Sequence, residues 1–245
     1  MNIGPVEKEI LKERKKGTIC FALIDSENLS RDKAMNMAKV AEESNVGAIL
    51  VGGSTIVDQI ELNDVIKTIK KASKLPVILF PGNITGISQH ADAILFTSLL
   101  NSENPYFITE AQALGAIAVK KYGIEALPTA YIIIGEGGAT GFIGHARGIP
   151  PNKPELAVMY SLAAQYMGMR FLYLEAGSGA TSHIPIDIIT AVRKAYNGFL
   201  IVGGGIKDSK TAKSFANAGA DAIVVGTLLE RKPLINLSSL VHALQ

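Results

Sequence analysis

Apolar residues in this chain gather in short unbroken runs, and between the runs the pattern changes to one apolar position every three or four residues. Eight runs stand out, at residues 19–24, 48–51, 77–80, 93–96, 130–134, 171–174, 200–202 and 222–225. They are too short and too continuously apolar for half-exposed antiparallel strands, but they suit parallel strands buried on both faces. The intervening stretches read as helices. Ser30 is placed to cap a helix running to Ser44, and Asp208 to cap one running to Ala218, because a short oxygen-bearing side chain can satisfy the free N–H groups of a first turn. Eight strands alternating with helices in 245 residues predict an α/β fold, a single (β/α)₈ barrel rather than an open doubly wound sheet. No linker-like or low-complexity stretch divides residues 1–245, so one domain is expected.

Two connections depart from the repeat. Only a dozen residues separate the third and fourth runs, and they open with Pro81-Gly82-Asn83 and carry Gly86. A full helix hardly fits there, so the third helix is expected to be shortened or missing. The stretch 135–151 (GEGGATGFIGHARGIPP) precedes a helical pattern at 153–167 and reads as a long fifth loop. Long loops inside compact domains usually carry function.

Composition narrows the classes. With 48% hydrophobic and 19% charged residues, disorder is excluded, and a net charge of +2 speaks against a nucleic-acid protein. The basic run at 12–16 (KERKK) encloses a glutamate and reads as a solvated helix end. Cys20 is the sole cysteine, which rules out an intrachain disulfide and a cysteine-based zinc site; inside the first apolar run it reads as a small core residue. No stretch resembles a signal peptide and no 18-residue apolar run occurs, so the expectation is a soluble, cytoplasmic protein.

Barrel chemistry collects at the carboxyl ends of the strands. After the seventh run stand Gly203-Gly204-Gly205-Ile206, opening toward the helix that Asp208 caps, and after the eighth stand Gly226-Thr227. Bare backbone N–H groups and a helix amino terminus at these two loops suit a phosphate, since a Cβ would block close approach. The plainer reading makes these glycines tight turns. The sixth run ends in Tyr173-Leu174-Glu175-Ala176-Gly177-Ser178-Gly179. Alternation sends Tyr173 and Glu175 to one face and Leu174 to the other, so a carboxylate beside a phenol could take a proton from a substrate hydroxyl; a salt-bridged glutamate is the alternative. Asp25-Ser26-Glu27-Asn28 after the first run and Gly52-Gly53-Ser54-Thr55 after the second put a carboxylate beside a hydroxyl, a set that suits Mg²⁺, although Asp25 alone could serve as a helix cap. His90, His145, His183 and His242 show no metal-ligand spacing, while His145 and Arg147 lie where a diphosphate could reach the fifth loop.

Taken together, Phe21-Ala22-Leu23-Ile24-Asp25, Gly52-Gly53-Ser54, Pro81-Gly82-Asn83, the Tyr173–Gly179 string, Gly203-Gly204-Gly205-Ile206 and Gly226-Thr227 resemble the geranylgeranylglyceryl phosphate synthase family, in order from first strand to last. Asn101-Ser102-Glu103-Asn104-Pro105-Tyr106-Phe107 resembles its branch with the longer fourth loop. The resemblance implies transfer of a geranylgeranyl group from geranylgeranyl diphosphate to the C3 hydroxyl of sn-glycerol 1-phosphate, the first committed step of isoprenoid ether lipid synthesis. It implies Mg²⁺ on Asp25 and Ser54, while the rim reading puts Glu175 and Tyr173 in the catalytic role. It implies glycerol phosphate on Tyr173, Leu174, Glu175, Ala176, Gly177, Ser178, Gly179, Gly204, Gly205, Gly226 and Thr227. A homo-oligomer, dimer or hexamer, is expected on the same ground, and a lipid product makes peripheral membrane contact an open question. The gap left by the third helix would receive the twenty-carbon tail.

Other readings share parts of this pattern. A relative with a heptaprenyl donor would use the same metal and phosphate positions. A phosphosugar barrel would share the phosphate loops, but a Schiff-base aldolase needs a lysine at a strand end and none of the eight runs contains one. A non-catalytic ligand-binding barrel would have no use for Asp25, Ser54 and Glu175 together.

Overall fold

All eight apolar runs form strands, and each pairs parallel with the next in chain order until β8 returns to β1 and closes a barrel. The structure, a computed structural model, describes residues 3–27, 29–53, 58–178, 180, 182–226 and 233–244, with backbone alone at 233–236. The strands are β1 Ile19–Asp25, β2 Ala48–Gly53, β3 Val77–Pro81, β4 Ala93–Leu99, β5 Glu125–Ile133, β6 Phe171–Glu175, β7 Phe199–Gly203 and β8 Ala222–Val225. The described helices are α1 Pro5–Arg14, α2 Arg31–Glu43, α3 Gln59–Ala72, α4 Ala111–Tyr122, α5 Gly138–Ile143, α6 Pro154–Tyr166, α7 Ile186–Ala195, α8 Ser209–Asn217 and α9 Pro233–His242.

Period-two alternation divides the core. Phe21, Leu50, Ile78, Leu95, Leu127, Phe171, Ile201 and Val224 point into the barrel and pack on one another. Ala22, Ile49, Leu79, Ile94, Ile132, Leu172, Val202 and Ile223 point outward and pack with the helices. Burial of each larger member contributes about 1.5–3 kcal/mol. Cys20 lies in the outer layer, fully buried, and loss of solvent pushes its thiol up to about 12, as suits a core residue. The expected caps are present: Ser30 Oγ accepts from Lys33 N, and Asp208 Oδ1 accepts from Thr211 N at 2.7 Å.

Most strands run further than their apolar runs, β4 and β5 by the most. β5 begins at Glu125 and pairs with β4 through Thr97, Ser98 and Leu99. The polar positions of β4 are accommodated because neighbouring segments bond to them: Ser98 Oγ donates to Ile108 O, and Gln112 Nε2 donates to Thr97 O, each at 2.6 Å. Pro128 is tolerated in β5 because the ladder with β6 starts one residue later, at Thr129. β1 and β2 extend to Asp25 and Gly53.

Between β3 and β4 there is a single 3₁₀ turn, Ile84–Gly86, so the third barrel helix is missing, as the spacing predicts. The long fifth connection contains α5 and is held in place. Asn101, buried after β4, bonds Ile133 N, Ile133 O and Arg147 O through its side-chain amide, and Ser102 Oγ donates to Gly144 O at 2.6 Å.

α1 is an addition to the eight repeats. Its first two free N–H groups, on Val6 and Glu7, donate to the Glu125 carboxylate at 2.7 and 3.0 Å, at the start of β5. Glu7 pairs with Arg170 just before β6, and Arg14 with Asp221 just before β8. α1 therefore lies across the amino ends of the strands, where Val6 and Ile10 seal the barrel interior. In the basic run, Lys15 and Lys16 are exposed as expected, whereas Arg14 is committed to Asp221.

Candidate active site at the carboxyl ends of the strands

The inward rows of the barrel end, at the carboxyl face, in residues of a different kind. Asp25 follows Leu23 on the inner face of β1, Glu175 follows Tyr173 on β6, and the positions that close the inner rows of β2, β7 and β8 are Gly52, Gly203 and Gly226. Asp25, Gly52, Tyr173, Glu175, Gly204, Gly205 and Gly226 all line one cavity of about 270 Å³. The alternation that hides leucine and valine below thus delivers two carboxylates and several bare backbones to one mouth.

Glu175 is the best enclosed of the charged groups at the mouth. It is only 6% exposed, and its Oε1 accepts from Gly177 N at 2.6 Å. Burial raises its pKa above the ordinary carboxylate range, against the lowering effect of hydrogen bonds from Gly177 N and from the phenols of Tyr173 and Tyr131. Both phenols are in turn held protonated, by burial first and the Glu175 charge second. Beneath the carboxylate the rings of Phe80, Tyr131 and Tyr173 form a triangle with centroids 5.1–5.5 Å apart. Gly203 is needed for this packing, since a Cβ there would come within 2.2 Å of the Tyr173 hydroxyl.

Gly204 has φ +85° and a Cβ at this position would meet Glu175 Oε1 at 2.6 Å, so the loop after β7 lies directly against the carboxylate. Gly226 is different. Among the described residues a Cβ there would find its nearest neighbour at 3.6 Å, an ordinary contact, so none of them demands a glycine at that position. Asp25 is exposed at the opposite side of the mouth, with Oδ1 accepting from Glu27 N at 3.0 Å. Desolvation raises its pKa, the Glu27 N–H lowers it and the Glu27 charge raises it again.

The other expected site residues divide. Ser178 lines the cavity, and Gly177 acts through its N–H on Glu175. Ala176 contributes its backbone N–H to Gly203 O rather than lining the cavity, and Leu174 is fully buried in the outward core layer, as its strand parity requires. Ser54, Gly179 and Thr227 lie outside the described residues. Nothing at the strand ends singles out Tyr131. Its signal is a phenol within an apolar run, which must find a polar partner once buried, and the register sets it beside Tyr173.

From the mouth the cavity continues over the top of β3 and β4 into the space that the third helix would fill. Phe80, Pro81, Gly82, Asn83, Ile84 and Ile87 line one side, and Phe96, Thr97, Phe107, Ala111, Gln112 and Gly115 the other. An apolar groove therefore opens beside a polar mouth.

Known proteins share this arrangement. Residues 8–244 match the PcrB family. The chain is 58% identical to the geranylgeranylglyceryl phosphate synthase of Cenarchaeum symbiosum, over 93% of this chain and 93% of that one. It is 56% identical to the enzyme of the same name from Nitrosopumilus maritimus, over 95% and 93%. Among solved structures, (S)-3-O-geranylgeranylglyceryl phosphate synthase from Thermoplasma acidophilum, in complex with its substrate sn-glycerol-1-phosphate, superposes with a TM-score of 0.94 at 36% identity, covering 99% of each chain. With a barrel of this topology, a buried carboxylate at its mouth and identity at this level along nearly the whole chain, the protein belongs to the PcrB family and is a prenyltransferase of the geranylgeranylglyceryl phosphate synthase group.

Proposed function

We propose that the protein transfers a geranylgeranyl group from geranylgeranyl diphosphate to the C3 hydroxyl of sn-glycerol 1-phosphate, with magnesium. The observation that carries this reading is the position of Glu175, a buried carboxylate between glycine-rich loops on one side and an apolar groove on the other. The relatives' shared name and the glycerol phosphate held by the Thermoplasma enzyme support the choice of substrates.

In the proposed reaction the phosphate of the acceptor rests on the backbone at Gly204, Gly205 and Gly226, and its C3 hydroxyl faces Glu175. As the allylic C–O bond of the donor breaks and diphosphate leaves, the C3 oxygen bonds to the allylic carbon and its proton passes to Glu175. A carboxylate with a raised pKa is a better proton acceptor than an ordinary one. The phenols of Tyr131 and Tyr173 hold it in place, and the triangle they form with Phe80 offers π faces to the charge that develops on the allylic carbon. The groove takes the tail and excludes water from the reacting carbon.

The mouth suits a magnesium ion. Asp25, exposed at the rim but partly shielded from solvent, offers a carboxylate whose charge that partial desolvation disfavours, a cost that a bound cation would offset. Ser54, the second expected ligand, lies outside the described residues. Magnesium takes few protein oxygens and completes its shell with water and phosphate, so a single rim carboxylate with a neighbouring hydroxyl is a fitting protein contribution. Bound there, magnesium would supply positive charge to the departing diphosphate. Asp25→Asn should raise the magnesium concentration needed for half-maximal turnover while leaving glycerol phosphate binding near that of the parent. An unchanged magnesium requirement would remove Asp25 from the metal site.

The substrates are tested by incubating the protein with a ladder of prenyl diphosphates and both glycerol phosphate enantiomers, and weighing the products. A twenty-carbon ether of the sn-1 enantiomer is expected. A preference for a thirty-five-carbon donor would move the protein to the heptaprenyl reading, and no ether product at all would overturn the proposal.

A further inference from the structure

The two walls of the groove are anchored separately. The segment after β3 is tied to α3: Gln59 Nε2 donates to Ile87 O at 2.8 Å, and Ser88 Oγ donates to Asn63 Oδ1 at 2.5 Å. The opposite wall begins with a π-helical turn, Tyr106–Glu110, that leads into α4. This wall is tied to β4 and to itself by Ser98 Oγ on Ile108 O and by Gln112 Nε2, which donates to both Thr97 O and Phe107 O. Those anchors leave Gln112 Oε1 buried with no hydrogen-bond partner among the described residues. π turns are wider than α turns, rare, and frequent at functional sites.

Across the mouth of the groove the walls meet in an exposed hydrogen bond, Tyr106 Oη donating to Asn83 Oδ1 at 2.5 Å. The same Asn83 oxygen accepts from Ile84 N at 2.7 Å and so caps the 3₁₀ turn of its own wall. The Tyr106 ring rests edge-on against Phe107, with centroids 5.1 Å apart, and Phe107 lines the groove. The crossing is thus a neutral, water-accessible bond between two walls that are each held by more enclosed contacts.

We infer that the Tyr106–Asn83 bond is a strap over the prenyl tail, which must open for a long donor to enter or a lipid product to leave. Tyr106 and Asn83 are then positioning residues for the donor's tail and have no part in the chemistry at Glu175. The inference rests on the proposed use of the groove by the prenyl chain. Because the strap is a single neutral hydrogen bond, its loss accelerates escape of the tail by a modest factor, about three- to tenfold.

The test measures dissociation rates, in the presence of magnesium, of two non-transferring donors: the thiolodiphosphate analogues of geranylgeranyl and dimethylallyl diphosphate. The five-carbon tail is too short to lie between the walls. Tyr106→Phe keeps the ring on Phe107 but loses the strap, so the twenty-carbon analogue should leave about three- to tenfold faster and the five-carbon analogue at the parent rate. Asn83→Asp keeps an acceptor at the same place and should release the twenty-carbon analogue like the parent. Equal rates for parent and Tyr106→Phe with the long analogue overturn the strap. So does a similar acceleration of both analogues, which would mean general loosening of the mouth. If the parent binds the two analogues with equal affinity, the groove does not hold the tail and the underlying reading falls with the strap.

Discussion

Glu175 joins a sequence position to a reaction most directly, because strand parity, burial and hydrogen bonding all act on one carboxylate. Glu175→Gln preserves shape but cannot take up the acceptor's proton, so kcat should fall by about 10²–10⁴-fold with little change in KM for glycerol phosphate. A raised KM with unchanged kcat would make Glu175 a binding group. The sign of its pH dependence follows from burial: as the proposed base Glu175 would work deprotonated, and its pKa is raised. Activity should therefore be lost on acidification at a higher pH than an ordinary carboxylate would give, and this limb should be absent from the residual activity of Glu175→Gln. The glycines provide a second test. Gly204→Val cannot isolate phosphate binding, because its side chain would strike Glu175 and strain a backbone at φ +85°. Gly226→Ala can, since its Cβ fits among the atoms of the described residues. It should leave the melting temperature within about 2 °C of the parent and raise KM for glycerol phosphate about tenfold, the loss of one charge-assisted contact. Unchanged KM would place the phosphate elsewhere.

Among the elements, the missing third helix and the long fifth connection are complementary. One opens the groove and the other closes the side of the mouth where Thr140, Ile143 and Gly144 line the cavity. The fifth connection owes its order to Asn101, whose buried amide satisfies backbone groups of both β5 and the loop. Asn101→Ala would leave those groups unpaired in a buried setting and should cost about 1–3 kcal/mol. Hydrogen exchange should quicken across residues 136–148 before it does in the strands. Uniform exchange, with protection lost evenly through the barrel, would show that the loop is held by its other contacts. Glycine spacing and strand length made the groove legible in advance, as a helix of about ten residues cannot fit in a dozen-residue link. The Asn101 clamp was not legible, because its partners lie 32 and 46 residues away.

Across the molecule, stability and chemistry occupy opposite ends of the barrel. α1 seals the amino ends with Val6 and Ile10 and the ion pairs to Arg170 and Asp221, while the candidate site and its cavity lie at the carboxyl ends. Ile10→Ala should therefore cost about 2–5 kcal/mol of stability, as for a truncated core side chain, yet leave kcat at 25 °C near the parent value. A matching fall in kcat would show that the two ends are coupled.

The sequence alone determined the barrel, the strand count, the shortened third connection and the rim position of Asp25, Glu175 and the glycines after β7 and β8. These follow from periodicity and local chemistry: a run of apolar residues must be buried, and a period of two decides which neighbours share a face. The tertiary structure decided what depends on contacts between distant segments. It brought Tyr131 and Phe80 beneath Glu175, distinguished Gly204, crowded by Glu175 and Ala176, from Gly226, which none of the described residues crowds, and joined Asn83 to Tyr106 across the groove. No pattern along the chain encodes such pairings, because they arise only when the barrel closes and residues from separate strands and loops compete for the same few ångströms.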